Sequence, residues 1–242
     1  MVIRKDFWQV RSQTVKKFNY RIISDNSMTR AIVLGGSRGM GKAISESLKS
    51  IGIDVFAASK NDIDTSNLDS VKKFVKIHNQ TDVLVLNTGG PTAKEFASIT
   101  EEEWNRYHNQ LFLGFCIILQ NIKINDGGYI FLISSSVIKE PNSKLIISSA
   151  YRAAFSEVFK VLSKDYAVKN ISCINIAPGP INTDRTRELI ENIEEYKKSL
   201  PMKRLGEPEE IGNFVKAIIQ NKIKYLSGVV INFDGANSSY IF

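Results

Sequence analysis

From residue 30 onward the chain alternates short apolar runs with longer stretches that are apolar on a helical repeat. Residues 31–34, 53–58, 82–86, 129–134, 171–176 and 228–233 read as strands, most of them apolar throughout, as strands covered on both faces are. Between them lie predicted helices over 42–51, with Ile44 and Leu48 four apart, and over 68–78, 100–119, 149–168 and 208–220. Thr100 with Glu103 makes a capping box, and Pro208 suits a first helical position. Gly52, Gly89-Gly90-Pro91, Gly127-Gly128 and Pro178-Gly179-Pro180 punctuate the pattern, with the Gly127-Gly128 pair expected to turn into the strand at Tyr129. Such an alternation implies βαβ units. It predicts a Rossmann-like, doubly wound parallel sheet in three layers, α/β/α, as a single domain. Ligands of such sheets bind beyond the carboxyl ends of the strands, where the strand order reverses.

Composition agrees and narrows the partners. The chain has 242 residues, 43% apolar and 24% charged. The longest apolar run, 111–119, falls short of the roughly 20 residues of a membrane span. The net charge is +7, but residues 1–30 hold seven basic and two acidic residues, leaving +2 for the rest. The basic character belongs to an N-terminal arm, so neither a nucleic acid nor a membrane is expected as a partner. Residues 1–28 read as a basic extension ahead of a domain over 29–242. The arm is poor in acids, as targeting peptides are, but lacks the apolar region of a secretory signal. Met28, just before the first strand, offers an alternative start. Cys116 and Cys173 lie apart in apolar surroundings, which fits buried thiols in a reducing cytoplasm. His78 and His108 are far apart and near no acidic cluster. They are expected as surface helix residues, and no metal site is expected.

The informative segment follows the first strand: Gly35-Gly36-Ser37-Arg38-Gly39-Met40-Gly41. Glycines there permit positive φ and close approach of a ligand to the backbone. The loop opens a helix, so its N–H groups and the positive helix end point at a pyrophosphate. NAD-preferring folds place an acid at the end of the second strand. Here that strand runs into Ser59-Lys60-Asn61. Arg38 and Lys60 are placed to meet an adenosine 2′-phosphate, unless both are simply solvated cations. NADP(H) is expected in preference to NAD(H), which the same loop would also admit.

The spacing Gly35-x-x-x-Gly39-x-Gly41 resembles the short-chain dehydrogenase/reductase family, with Leu34 where the family has Thr. Other landmarks fall in order over residues 30–236. Asn87-Thr88-Gly89 is similar to the Asn-Ala-Gly that follows the family's fourth strand, and Asp64-Thr65 to its Asp-Val pair beside adenine. Pro178-Gly179-Pro180-Ile181-Asn182-Thr183 is similar to its Pro-Gly-x-x-x-Thr near the nicotinamide. Arg204-Leu205-Gly206-Glu207-Pro208, Leu226-Ser227-Gly228 and Asp234-Gly235 match its C-terminal run. The resemblance implies that Gly35, Ser37, Arg38, Gly39, Met40, Gly41, Ser59, Lys60, Asp64, Thr65, Asn87, Thr88, Gly89, Pro178, Gly179, Ile181 and Thr183 surround the cofactor.

The resemblance also assigns catalytic positions. Ser135 stands where the family's serine polarises the substrate carbonyl. Thirteen residues on, Ser148 replaces the general-acid Tyr, and four further Arg152 replaces Lys. Leu111, seven after Trp104, takes the place of Asn. A serine hydroxyl is far less acidic than a phenol, whose pKa is about 10, so Ser148 is expected only to relay a proton. Arg152 does not titrate but can hold ribose hydroxyls. Tyr151, at i+3 from Ser148, either leans its hydroxyl over the vacated place or packs at a subunit interface. Ser-x-x-x-Arg occurs in a branch of the family resembling 3-oxoacyl-[acyl-carrier-protein] reductases.

Two functions follow as expectations. One is a cytoplasmic oxidoreductase moving hydride between NADP(H) and a small carbonyl or alcohol substrate. The alternative is an NADP(H)-binding module with little or no turnover, acting as a sensor or interaction protein. Residues 184–200 are expected as a lid with one charged helix over 185–198, in which Arg185 and Arg187 either meet an anionic group or face solvent. The helices at 104–119 and 149–168 are apolar on more than one face. A homo-oligomer, dimer or tetramer, is expected from this and from the family.

Overall fold

The computed structural model describes residues 29–240; the expected N-terminal extension lies outside them. Six strands form one parallel sheet: β1 (Arg30–Leu34), β2 (Asp54–Ala58), β3 (Gln80–Leu86), β4 (Lys123–Ile133), β5 (Ser172–Pro178) and β6 (Val229–Phe233). Their order is β2-β1-β3-β4-β5-β6. The helices are α1 (Gly39–Lys49), α2 (Leu68–Ile77), α3 (Glu101–His108), α4 (Gly114–Asn121), α5 (Ile146–Ala167), α6 (Asp184–Leu189), α7 (Ile193–Ser199) and α8 (Pro208–Gln220).

Successive side chains of a strand point to opposite faces, which explains why the strands are apolar throughout. Ile32, Leu34, Leu84, Leu86, Ile130 and Leu132 join α2, α4 and α5 through Val71, Phe74, Phe115, Ile118, Phe155 and Phe159. Ala31, Val33, Val83, Val85, Phe131 and Ile133 join α1 and α8 through Ile44, Leu48, Ile211, Val215 and Ile218. Burying each large aliphatic side chain stabilises the fold by about 1.5–3 kcal/mol. The three-layer architecture is the expected one. Strand order reverses between β1 and β3, so the chain leaving these two strands encloses a crevice at their carboxyl ends.

Four local expectations are corrected. Gly127-Gly128 does not begin a strand; β4 already pairs with β3 at Lys123, and the register shifts between Thr81 and Val83. Gly127, at φ 78°, lets the extra residues bulge while pairing resumes at Tyr129. The helix begun by the Thr100 capping box contains a π-helical turn over Asn109–Leu113, between α3 and α4. The lid is not one helix. Asn192 caps α7 by accepting from Glu195 N–H, so the segment restarts after α6. The histidines are half-buried among aromatic rings rather than on a free surface. His78 lies 4.3 Å from the Phe56 ring and 4.6 Å from Phe74, and His108 stacks on Phe112. Cys173 is fully buried, and desolvation pushes its thiol pKa up to about 12. No helix among the described residues is long and apolar enough to cross a membrane.

Candidate active site

The turn from β1 into α1 is tied to both neighbouring strands. Gly36 N–H donates to the Ala58 carbonyl at the end of β2, at 2.9 Å. Asn87, directly after β3, donates from Nδ2 to the carbonyls of Leu34 at 3.1 Å and Gly35 at 3.4 Å. Gly35 sits at φ 60°, in the left-handed region. The turn has no room for a side chain at its far end, because a Cβ on Gly41 would lie 2.1 Å from the Gly35 carbonyl oxygen. Arg38 occupies the N-cap of α1 but makes no capping bond, and the first turn holds no acid. The first N–H groups of α1 therefore remain for an anion, with the positive end of the helix dipole behind them. This cradle suits the pyrophosphate of a dinucleotide.

Beside it, Thr65 Oγ1 meets Thr88 Oγ1 at 3.1 Å, which joins the Asp64-Thr65 pair to the segment after β3. Asp64 accepts from Ser66 N–H and Oγ–H at 2.9 and 2.7 Å. Lys60 is exposed, with its Nζ 3.8 Å from an Asp64 carboxylate oxygen. Arg38 is also exposed. The end of β2 is not free of acid. Asp62 folds back to accept from Ser59 N–H at 2.8 Å and Ser59 Oγ–H at 2.6 Å. Those bonds hold the Asp62 carboxyl below its usual pKa.

Arg152 lies at the centre of the crevice, 8% exposed. Nε donates to Ser148 Oγ at 3.2 Å, Nη1 to the carbonyls of Ile133 at 3.1 Å and Ser134 at 3.3 Å, and Nη2 to the Thr88 carbonyl at 3.2 Å. One guanidinium thus joins α5 to the ends of β3 and β4. Desolvation, with a smaller contribution from Arg185, lowers its pKa to about 10, which leaves it charged at neutral pH. A buried polar chain holds α5 in place: Ser134 Oγ donates to Asn175 Oδ1, Asn175 Nδ2 to Ser156 Oγ, and Ser156 Oγ to the Arg152 carbonyl. Ser135 caps a single 3-10 turn, Ser136–Ile138, and its Oγ accepts from Val137 N–H at 3.4 Å. Both serine oxygens accept in these contacts, so both hydroxyl hydrogens are available to a ligand oxygen.

Leu111 and Tyr151 face elsewhere. Leu111 is buried with Tyr107 and Ile147, and Tyr151 packs on the same cluster. The Tyr151 ring meets Trp104 edge-on at 5.7 Å and His108 at 5.5 Å. It therefore packs as an aromatic and makes no bond to Ser148. The polar group that the π-helical turn brings to the crevice is Gln110. Its Nε2 donates to the Gly89 carbonyl at 2.9 Å and to Thr88 Oγ1 at 3.3 Å.

The loop after β5 closes the other side. Thr183 lies against the cradle: a Cβ on Gly39 would be 3.4 Å from its methyl carbon. Gly179 N–H donates to the Phe233 carbonyl at 3.1 Å. Ile181 is buried and pairs with Gly206. From α6, Arg185 Nη2 donates to the Pro91 carbonyl across the crevice, and Arg185 Nη1 pairs with Glu188 at 3.1 Å. Arg187 turns the other way, to Asp184 and Asn182.

Comparison with known proteins matches this arrangement. A family model described as enoyl-(acyl carrier protein) reductase matches residues 62–236. The 3-oxoacyl-[acyl-carrier-protein] reductase FabG of Chlamydia trachomatis is 31% identical over 240 residues, covering 85% of this chain and 95% of that protein. The chain belongs to the short-chain dehydrogenase/reductase family. FabG of Aquifex aeolicus is 29% identical over 237 residues, with the same coverage. Among solved structures, a blue fluorescent protein from a metagenomic library, in complex with NADPH, superposes with a TM-score of 0.78 at 24% identity, covering 87% of this chain and 98% of that one. The shared fold and these relatives make the chain an oxidoreductase of this family.

In this short-chain dehydrogenase/reductase, Asn87-Thr88-Gly89 follows the third strand rather than a fourth. Residues 59–63 alone connect β2 to Asp64, so β2 is the sheet edge. Two residues of the crevice, Asp62 and Gln110, and one contact, from Arg185 to Pro91, escaped sequence reasoning. Asp62 was legible as an Asp three residues after a strand-end Ser, a spacing that permits such a turn. The Arg185 contact to Pro91 spans 94 positions, and no local signal announces it. Gln110 depends on the extra residue of the π-helical turn, which the helical repeat does not reveal.

Proposed function

We propose that the chain is an NADP(H)-dependent oxidoreductase acting on a small carbonyl or alcohol substrate, in the manner of the 3-oxoacyl reductases it resembles. The observation that carries this reading is the joining of the uncapped α1 turn to Asn87 and Thr183, which brings the three cofactor segments to one crevice. When bound there, a nicotinamide would supply or accept the hydride. The chain's own part is placement. The α1 N–H groups hold the pyrophosphate, Thr65 and Asp64 border the adenine, and Arg152 with Thr183 borders the nicotinamide end. Ser135 and Ser148 donate hydrogen bonds to the carbonyl oxygen. Ser148, itself bonded to a guanidinium, passes a proton inward from solvent. Without a phenol at that place, catalysis forgoes part of the roughly 10²–10⁴-fold that a poised acid contributes. The test is NADPH titration together with NADPH oxidation over a panel of ketones, aldehydes and oxo acids. Binding with oxidation of at least one substrate is expected.

The packing of Tyr151 among Trp104 and His108 favours one second reading, a cofactor-binding module with little turnover. Tight NADPH binding with no oxidation across the panel would select it. Under either reading Tyr151 is a packing residue, so Tyr151→Phe retains whatever turnover the chain has. A tenfold fall in kcat would return its hydroxyl to the proton path.

Preference for NADP(H) over NAD(H) rests on Arg38 and Lys60. Lys60 shares its charge with Asp64, and Asp62 stands next to it, so the preference is modest. Replacing both cations with Gln is expected to weaken NADPH binding about tenfold to thirtyfold while NADH binding changes little. Paired titrations of the two cofactors measure this. The chain is also proposed to form a homo-oligomer through the outer face of α5, where Val161 and Val168 are 64% and 78% exposed. Light scattering reads the mass.

A further inference from the structure

A guanidinium withdrawn from water is ordinarily matched by a carboxylate, because neutral acceptors orient the charge without cancelling it. Arg152 lacks that match. Its partners are one hydroxyl and three carbonyls. Among the described residues it enters no ion pair. Four of its five N–H groups are used, which leaves one on Nη2. That nitrogen is reachable over Gly90, where a Cβ would stand 3.8 Å from Nη2 and 4.0 Å from Ser148 Oγ. The lid brings a second guanidinium to the same opening. Arg185 bonds the Pro91 carbonyl, one residue beyond Gly90, and its charge acts on Arg152. Its one acidic partner, Glu188, is 62% exposed and belongs to the same short helix. Two guanidiniums facing one opening repel each other until an anion lies between them.

We propose that Arg152 and Arg185 form a carboxylate subsite at Gly90, so that the carbonyl substrate is an oxo acid. This rests on the reductase reading for the chemistry of the substrate, though not for the binding of its acid group. A carboxylate suits the place because its two oxygens can accept the remaining N–H of Arg152 and one of Arg185 together. Ser148 Oγ, which hydrogen-bonds the carbonyl, and Arg152 Nη2, which keeps the free N–H, stand 4.0 and 3.8 Å from the same point over Gly90. The reacting carbonyl and the carboxylate are therefore one or two carbons apart, as in 2-oxo and 3-oxo acids.

The experiment is calorimetric titration of the full chain, with and without saturating NADPH, using pyruvate and acetoacetate against their methyl esters. At least one acid is expected to bind tenfold or more tighter than its ester, with NADPH present. Arg185→Gln should cut that preference about tenfold. Arg187→Gln, on the same helix but turned to Asp184 and Asn182, should leave it in place. Equal binding of acid and ester for both pairs would overturn the proposal. So would an equal loss in the two lid variants, which would mark a diffuse charge effect. Displacement of the acid by NADPH would give the subsite to the cofactor and likewise overturn it. Acid preference with no NADPH oxidation would uphold the subsite while the reductase reading fails.

Discussion

Alanine at position 41 is expected to abolish NADPH binding and to lower the stability of the chain by about 3 kcal/mol, the upper end of ordinary overpacking. The added Cβ would stand 2.1 Å from the Gly35 carbonyl oxygen, 2.7 Å from its carbon and 2.9 Å from Asn87 Nδ2. None of these is the far end of a free side chain. The first two are backbone of the same turn, and the third is held by the Leu34 and Gly35 carbonyls. The turn has to open, and with it go the bonds that tie β1 to β2 and β3. For a domain of this size about 3 kcal/mol is a fall of roughly 6–12 °C in Tm. Thermal unfolding and an NADPH titration check the two halves of the prediction. Gly89→Ala is the control, since a Cβ there meets nothing within 4 Å. It should melt like the parent, and a matching loss in both variants would show that the cradle is not what Gly41 protects.

Arg152→Leu is expected to be comparably damaging, with a net loss of about 2–4 kcal/mol. Two opposed terms decide it. Removing a buried cation with no carboxylate partner relieves a desolvation penalty. Against that, the carbonyls of Ile133, Ser134 and Thr88 lose their donor, and each stranded acceptor costs about 1–3 kcal/mol. Three losses outweigh one relief, because the carbonyls sit at strand ends that leucine cannot reach with any polar atom. Arg152→Lys keeps the charge but offers a single nitrogen for acceptors that the guanidinium reaches with three, so it should fall between the two. Urea unfolding measures the order. A leucine variant as stable as the parent would mean that the cation's burial costs as much as its bonds return.

The fold was readable because the strands are largely apolar on both faces and several turns are marked by Gly or Pro, so β1, β5, α8 and β6 lie within a residue or two of their expected ends, while α1 begins three residues early, at Gly39. The geometry of the candidate cradle was readable for the same reason. Gly35, Gly39 and Gly41 sit between a strand and a helix, and Asn87 and Thr183 were found at the crevice. What local pattern did not carry was longer in range. Gly127 reads as a turn, but pairing with β3 on both sides turns it into a bulge. Residues 185–198 carry charges at eight of fourteen positions, spread along their length, and only the Asn192 cap divides them. Tyr151 sits one turn from Ser148, yet Trp104 and His108 on α3 decide where its ring goes. Arg152 was expected to hold ribose, while its bonds to three distant carbonyls belong to the tertiary structure.

The π-helical turn at Asn109–Leu113 has a consequence for how the chain tolerates changes of length. Ahead of it, α3 is anchored by the Thr100 capping box; behind it, α4 is anchored by Phe115 and Ile118 in the core. Removing one residue within the turn would restore the ordinary winding with both anchors in phase, whereas ordinary winding of the full-length segment would swing one half by roughly 100° against the other. Either Gln110 would leave Thr88 and Gly89, or Phe115 would leave the core. A single helix therefore runs in two phases, one set by the crevice and one by the packing beneath the sheet. Counting residues from Trp104 across the junction compares positions that are one step out of phase.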